Sequence, residues 1–168
     1  MRQLRRIGLA FGAALLVFLP QTAGATQPLR FPSGAFVGTF AAGQVCSFAV
    51  DTAPVGATQT ETLYFDRSGN VIKIGFTGVS YISLTNDTTK KTIVVNASGT
   101  GALYPQGDGS FLGSGGGPGL FALFPTDSGG PALLQIRGRE TFTISPSGQI
   151  QNLVVVGTVT DLCAVLGS

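Results

Sequence analysis

The chain has 168 residues, with ten basic and eight acidic side chains and no histidine or tryptophan. The missing histidine removes the commonest general base and the commonest transition-metal ligand of proteins. The near-balance of charge also lacks the positive field that draws proteins onto nucleic acid. We therefore expect no cofactor, no metal and no nucleic-acid partner.

The first 25 residues have the pattern of a secretory signal peptide. A basic start over residues 2–6 precedes an uncharged apolar run over 7–19, and Ala23-Gly24-Ala25 offers small residues for cleavage before residue 26. The apolar run is shorter than the ~20 residues of a membrane-spanning helix. We therefore expect a secreted, extracellular or cell-envelope protein. Arg5-Arg6 leaves twin-arginine export open beside the general secretory route.

Cleavage after residue 25 would leave a chain of single-domain size. The signal holds three of the ten basic residues and none of the acidic ones, so the remaining chain is nearly neutral. Pro28 and Pro32 indicate an irregular lead-in over residues 26–34, and we assign residues 35–168 to one domain. No later segment is apolar over enough residues to predict a transmembrane helix.

Turn signals recur about every twenty residues, and the segments between them are rich in Val, Ile, Thr, Phe and Gly. The turns lie at residues 66–70, 86–89, 106–109, 127–131 and 145–148. Because no stretch has sustained helical periodicity, this rhythm predicts an all-β meander of antiparallel strands. The eight predicted strands are Ala35–Ala41, Gln44–Asp51, Gln59–Phe65, Asn70–Leu84, Lys91–Leu103, Ser110–Phe124, Ala132–Ile144 and Gln149–Thr160.

The predicted strands are too long to lie flat in a small domain. Asn70–Leu84 would run roughly 50 Å if flat, whereas a domain of this size is about 35–40 Å across. Glycines such as Gly78, Gly99 and Gly138 stand where bends would be needed. Strong coiling of a meander favours an eight-stranded antiparallel up-and-down barrel. A two-sheet β-sandwich is the alternative.

The chain has two cysteines, Cys46 and Cys163, which bracket most of the predicted domain. In an exported protein two distant cysteines indicate a disulfide rather than half of a zinc site. In an up-and-down barrel the first and last strands are neighbours, so a Cys46–Cys163 bond would join the closing seam.

Several short motifs are similar to those of a group of small secreted bacterial proteins with no assigned activity. They are Val45-Cys46-Ser47-Phe48, Phe65-Asp66-Arg67-Ser68-Gly69, Thr85-Asn86, Asp108-Gly109-Ser110, a Gly-Gly-Pro loop and Asp161-Leu162-Cys163. The meander also resembles the allene oxide cyclase and dirigent type of calycin-like barrel, and more loosely lipocalins. The resemblance to these barrel families implies a cavity for an apolar small molecule, and it transfers no catalytic or ligand-contact residue.

Two motifs suggest activities that the rest of the chain excludes. Residues 127–131, Asp-Ser-Gly-Gly-Pro, match the segment around the nucleophile of chymotrypsin-like proteases, but no imidazole is present to accept the serine proton. We interpret this segment as a tight loop between two strands. The glycine-rich residues 113–119 lack the Lys-Ser/Thr and the following helix of a phosphate-binding loop.

Two glutamates follow the signal peptide, and both fall in the apolar phase of their strands. Glu61 alternates with Leu63, and Glu140 alternates with Ile136 and Phe142, so both are expected to point inward. An inward carboxyl group is a candidate for acid/base catalysis or for holding the polar end of a ligand. The alternatives are a bulge at Gly138 that flips the register and turns Glu140 outward, and a structural pair with Arg137, Arg139 or Lys73.

Three functions fit these observations. The first is a secreted barrel that binds an apolar small molecule in its interior. The second is an envelope or extracellular interaction protein without a cavity, since runs such as residues 153–156 are apolar on both faces and suggest self-association. The third, ranked below them, is a cyclase or isomerase that uses a buried carboxyl group.

Overall fold

A computed structural model describes residues 27–34 and 37–168, which form eleven strands and one six-residue helix. The elements are β1 (Leu29–Ser33), β2 (Gly38–Phe40), β3 (Val50–Ala57), β4 (Gln59–Phe65), β5 (Val71–Thr77), β6 (Ser80–Asn86), β7 (Thr92–Asn96), β8 (Thr100–Pro105), β9 (Phe111–Leu123), β10 (Ala132–Ile144), β11 (Ile150–Asp161) and α1 (Leu162–Gly167). Within these residues no helix has the length and apolarity to cross a membrane. The predicted signal peptide over 1–25 lies outside the described residues, as do the first two positions of the predicted strand Ala35–Ala41.

The strands form two antiparallel sheets. One has seven strands in the order β1-β4-β5-β8-β9-β10-β11, and the other has four in the order β2-β3-β6-β7. The all-β, antiparallel prediction is confirmed. The prediction of a closed eight-stranded barrel is wrong, because β1 and β11 are separate edges of the larger sheet and do not pair with each other. Two sheets are the arrangement that the alternative expected.

The chain changes sheet inside two of the predicted long strands, and this accounts for the open topology. Predicted strand Asn70–Leu84 is β5 followed by β6, with the break at Gly78. Predicted strand Lys91–Leu103 is β7 followed by β8, with the break at Gly99. At Gly99 an added Cβ would lie 2.8 Å from the carbonyl oxygen of Pro118 on β9, so glycine permits the close crossing of backbones there. The expected bends are therefore crossovers between sheets.

Two segments near the start of the domain also differ from the prediction. The expected irregular lead-in contains strand β1, which pairs antiparallel with β4. Most of the predicted strand Gln44–Asp51 is a series of turns, and β3 begins only at Val50. Pro32 lies within β1, and it is tolerated because β1 is an edge strand with one neighbour.

Three of the predicted turns share one backbone geometry. Gly69, Gly109 and Gly148 have φ angles of 84°, 83° and 84°. Each donates its N–H to the carbonyl oxygen three residues earlier, at 3.2, 3.1 and 2.8 Å respectively. Glycine reaches positive φ without steric cost, so it closes a short hairpin at each of these positions. The turns join β4 to β5, β8 to β9 and β10 to β11, as the turn signals predicted.

The hydrophobic core lies between the four-stranded sheet, helix α1 and the start of β10. Its fully buried members include Val50, Leu84, Leu133 and Leu166. Asn86 is also buried there, and its side-chain amide donates a hydrogen bond to the carbonyl oxygen of Leu166 at 3.2 Å. This bond fixes α1 against the end of β6.

The predicted disulfide between Cys46 and Cys163 is present, with the two Cα atoms 5.5 Å apart. Cys46 lies in the loop between β2 and β3, and Cys163 lies in α1 directly after β11. The bond therefore does not close a barrel seam. It joins the four-stranded sheet to the chain that leaves the far edge of the seven-stranded sheet.

Candidate functional site

A sharp bend in the longest strand pair, β9 and β10, shapes the candidate site. Phe121 on β9 is opposite Leu134 on β10, eight residues before Phe142. In a flat ladder eight residues span about 27 Å, but the rings of Phe121 and Phe142 are edge to face with centroids 5.3 Å apart. The two halves of the strand pair therefore fold toward each other.

A row of three paired glycines lies at this bend. Gly138 on β10 is directly opposite Gly117 on β9 and Gly157 on β11. Their φ angles are 151°, 96° and 154° respectively, which L-residues rarely adopt. A Cβ at Gly138 would lie 2.3 Å from the carbonyl oxygen of Val156, so a side chain has no room there. The bend thus depends on glycine in three neighbouring strands.

An apolar cavity of about 530 Å³, here called the inner cavity, is lined by residues of both sheets. Its aromatic and aliphatic lining includes Phe76, Phe121 and Phe142 of the seven-stranded sheet and Phe40 and Ile82 of the four-stranded sheet. Among the described residues that line it, Glu140 is the one with an ionisable side chain. A space of this volume and character is typical of small-molecule sites.

Glu140 is buried on the wall of the inner cavity, as its strand phase predicts. The residue is 8 % exposed, and its Oε2 atom is buried with no hydrogen-bond partner. Burial away from water raises the pKa of the Glu140 carboxyl group above its usual value of 4.5. A buried carboxyl group with a raised pKa is a candidate for proton transfer.

Neither structural alternative for Glu140 is found. The register of β10 shifts between Thr141 and Thr143, beyond Glu140, so the bulge does not turn this side chain outward. The one ion pair between described side chains joins Lys90 to Asp87, far along the chain from β10. Arg137 and Arg139 are exposed and alternate onto the opposite face of β10.

Glu61 belongs to the same register row as Glu140 but does not line the inner cavity. The row runs across five strands as Glu61, Phe76, Gly101, Gly115 and Glu140. Glu61 is half-buried, and Phe76 on the neighbouring strand does line the cavity. The structure thus places both predicted glutamates on one face of the sheet, with one of them at the site.

Alternating glycines on β9 provide the space into which two β10 side chains lean. An added Cβ at Gly115 would lie 2.0 Å from Oε1 of Glu140, and one at Gly113 would lie 2.4 Å from the ring of Phe142. A Cβ at Gly119 would lie 3.6 Å from the ring of Phe121. The glycine-rich segment that sequence reasoning excluded as a phosphate loop therefore opens one wall of the cavity.

The seven-stranded sheet carries a second, more polar depression of about 710 Å³, which is lined mainly by residues of the opposite face and also by Glu140 and Phe76. Thr60, Thr62 and Tyr64 alternate along β4 and line it, together with cations from other strands. Lys73 is one of these, with Nζ 5.0 Å from the centre of the Tyr64 ring, a cation–π distance. Sequence reasoning missed this outer groove, although the period-two run Thr-x-Thr-x-Tyr was its signal.

The protease-like segment is a structural loop, as interpreted from the sequence. Oδ2 of Asp127 accepts a hydrogen bond from the N–H of Phe124 at 2.6 Å, and Oδ1 accepts one from Ile150 at 2.8 Å. The N–H of Ser128 donates to the carbonyl oxygen of Ile150 at 2.9 Å. The carboxylate therefore joins the end of β9 to the start of β11, and the serine is exposed without a base.

No protein-family profile, no curated protein and no solved structure matches this chain. The likeness to small secreted bacterial proteins and to calycin-like barrels stays a proposal. The inner cavity and Glu140 are therefore the features that bear on function.

Proposed function

We propose that this protein is a secreted binding protein that holds an apolar small molecule in the inner cavity between its sheets. The observation that carries the proposal is the cavity of about 530 Å³ with phenylalanine on several sides and a single ionisable side chain. An apolar lining with few polar groups is the usual composition of a ligand pocket. The Cys46–Cys163 disulfide is compatible with the oxidising compartment that secretion implies.

A cavity-filling variant tests this proposal. Gly101 lines the inner cavity, and an added Cβ there would meet only the carbonyl oxygen of Ser114 at 3.5 Å, an ordinary contact. Gly101→Leu should therefore fold and occupy ligand space. Gly56→Leu is the matched control, because position 56 is open and is not among the residues that line the cavity.

Binding of an uncharged fluorescent apolar probe such as N-phenyl-1-naphthylamine, and of a series of C6 to C12 alcohols, should be measured on these proteins. The wild type and Gly56→Leu should bind members of the series, and Gly101→Leu should bind at least tenfold more weakly. Absence of binding by the wild type, or equal binding by all three proteins, would refute the proposal.

A cyclase or isomerase activity is the second candidate, and the buried Glu140 carboxyl group is the observation that favours it. An acid or base whose pKa is moved toward neutrality by burial suits proton transfer to or from a bound molecule. Any turnover found should be lost in Glu140→Gln and retained in Glu61→Gln. Turnover that survives in Glu140→Gln would exclude this mechanism.

Self-association remains a further proposal, and one feature supports it. Strand β11 is an edge of the seven-stranded sheet, and Val154, Val156 and Val159 on it are exposed. Exposed apolar edge strands are ready to pair with another chain. Light scattering after size-exclusion should detect a dimer that Val156→Lys disrupts, and a strict monomer would exclude it.

A further inference from the structure

A residue on the wall of the inner cavity has a buried oxygen atom without a hydrogen-bond partner. Glu140 is more than nine-tenths buried, and its Oε2 atom has no hydrogen-bond partner among the described residues. Buried polar atoms in native proteins are nearly always paired, and an unpaired one calls for an explanation. A ligand that pairs with this carboxyl group would explain why it is buried without a partner in the protein.

The distribution of charged side chains on the seven-stranded sheet indicates which kind of ligand would pair with Glu140. Arg30, Lys73, Arg137 and Arg139 are the basic residues within the described strands of the seven-stranded sheet. All four lie at positions on the face that carries the outer groove. Arg30 pairs with Thr62 and Arg139 pairs with Gly116, and both partners line that groove. Lys73 also lines it, and Arg137 is two residues before Arg139 and so lies on the same face. Both glutamates, Glu61 and Glu140, alternate onto the cavity face instead. Within the described strands of this sheet, the cavity face therefore carries both carboxyl groups and no basic side chain.

Aromatic rings add to this preference. Phe76 lies in the register row between Glu61 and Glu140 and lines the cavity. Phe121 and Phe142 form an edge-to-face pair, and a single point at Gly119 is within 4 Å of both the Phe121 ring and Oε1 of Glu140. The faces of aromatic rings attract ammonium groups, and this attraction strengthens away from water.

Resting on the proposed function, we propose that the ligand is a hydrophobic amine, whose ammonium group pairs with the Glu140 carboxylate while its apolar part fills the inner cavity. An ammonium group in the cavity supplies hydrogen-bond donors and the opposite charge to the carboxyl group that lines it, and both make a buried carboxylate tolerable. A ligand with a carboxylate is disfavoured, because two like charges would meet with no cation on this face. No bond is made or broken in this binding step.

Three probes of equal chain length test the charge preference: octylamine, octan-1-ol and octanoate, measured by isothermal titration calorimetry at pH 7.5. Octylamine should bind at least tenfold more tightly than octan-1-ol, and octanoate should bind most weakly. In Glu140→Gln the preference for octylamine should vanish while octan-1-ol still binds. Glu61→Gln, the matched control outside the cavity lining, should keep the preference.

The pH dependence provides an independent readout on the wild type alone. Octylamine binding requires ionised Glu140, so its affinity should increase as pH rises through the pKa of that group. A neutral hydrogen-bond acceptor such as octan-2-one would need the protonated carboxyl group, so its affinity should decrease over the same range. This profile also decides the question if Glu140→Gln does not fold.

The outcomes separate this inference from the proposed function. If octan-1-ol binds and octylamine binds no more tightly, or if the octylamine preference survives in Glu140→Gln, the amine inference is overturned and the binding protein stands. If octylamine affinity decreases with rising pH, the inference is overturned in favour of a neutral acceptor. If none of the three probes binds, both proposals fail.

Discussion

The carboxyl group of Glu140 occupies the space that a side chain at Gly115 would need. An added Cβ at Gly115 would lie 2.0 Å from Oε1 of Glu140, whereas one at the next residue, Gly116, would meet nothing closer than 3.7 Å. Neither glycine has a φ angle that requires glycine. Position 115 therefore requires glycine because the Glu140 side chain of the paired strand fills the space beside it.

Gly115→Ala should displace the Glu140 side chain and damage the site. We expect a loss of about 1–3 kcal/mol in the free energy of unfolding, as for other overpacked buried positions, and at least tenfold weaker binding of octylamine. Gly116→Ala should change stability by less than about 1 kcal/mol and leave binding intact. Urea denaturation and calorimetry measure the two effects, and equal behaviour of the two variants would contradict this assignment of space.

Gly138→Ala should be far more damaging, because it removes the bend of β9 and β10. The new methyl group would lie 2.3 Å from the carbonyl oxygen of Val156, in a backbone with a φ of 151°. Strain and overpacking together should lower the free energy of unfolding by about 3 kcal/mol or more. Gly56→Ala, at an open position of β3, is the control. A Gly138→Ala protein as stable as this control would mean that the strands do not require the bend.

The sequence predicted the strands and turns that are determined by residues close together in the chain. The strands Gln59–Phe65 and Ala132–Ile144 have the predicted bounds, since alternation and flanking turn residues define them. The disulfide and the inward position of Glu140 were also predicted, from cysteine count and strand phase. Each of these features depends on residues close in sequence or on a forced pairing of two cysteines.

The features that were missed depend on which distant strands pair. A glycine such as Gly78 fits equally a bent strand and a crossover between sheets, and only the partner strands distinguish the two. The barrel prediction failed at this step, because the chain crosses to a second sheet at Gly78 and Gly99 and leaves β1 and β11 as separate edges of the first. The inner cavity could not be predicted either, because Phe121 and Phe142 meet only after the strands bend.

Removal of the disulfide should lower stability without rearranging the sheets. Cys46 and Cys163 are 117 residues apart, and a cross-link closing a loop of this size contributes about 4–5 kcal/mol in the chain-entropy model. The double variant Cys46→Ala/Cys163→Ala should show this loss in urea denaturation. Dithiothreitol should destabilise the wild type similarly and leave the double variant unaffected. An unchanged midpoint after reduction would show that the bond contributes little.

Substitution of Asp127 should lower the stability of this protein, whereas substitution of Ser128 should have little effect. A serine protease would instead depend on the serine. Asp127→Ala leaves the N–H groups of Phe124 and Ile150 without their carboxylate acceptor, so we expect a loss of about 3 kcal/mol in stability. Ser128→Ala keeps the backbone hydrogen bond to Ile150 and should change stability by less than about 0.5 kcal/mol. Chemical denaturation of both variants decides this, and a Ser128→Ala loss as large as that of Asp127→Ala would contradict the structural role of the loop.

The burial of Glu140 should make stability depend on pH in a definite direction. Because burial raises the pKa of this carboxyl group above 4.5 in the folded state, the folded protein holds its proton more tightly than the unfolded chain. Its contribution to stability is therefore complete below about pH 4.5 and is lost as pH rises through the folded pKa, at up to about 1.4 kcal/mol per pH unit.

Glu140→Gln isolates this contribution, because the other titrating groups are common to both proteins. The free energy of unfolding of the wild type minus that of Glu140→Gln should fall as pH rises above 4.5 and then level off once the folded carboxyl group is ionised. Urea denaturation of both proteins from pH 4 to pH 9 gives this difference at each pH. Saturating octylamine should flatten the fall, since the ammonium group would stabilise the ionised form. A difference that is constant with pH, or that rises, would mean that the carboxyl group is not held away from water in the folded protein.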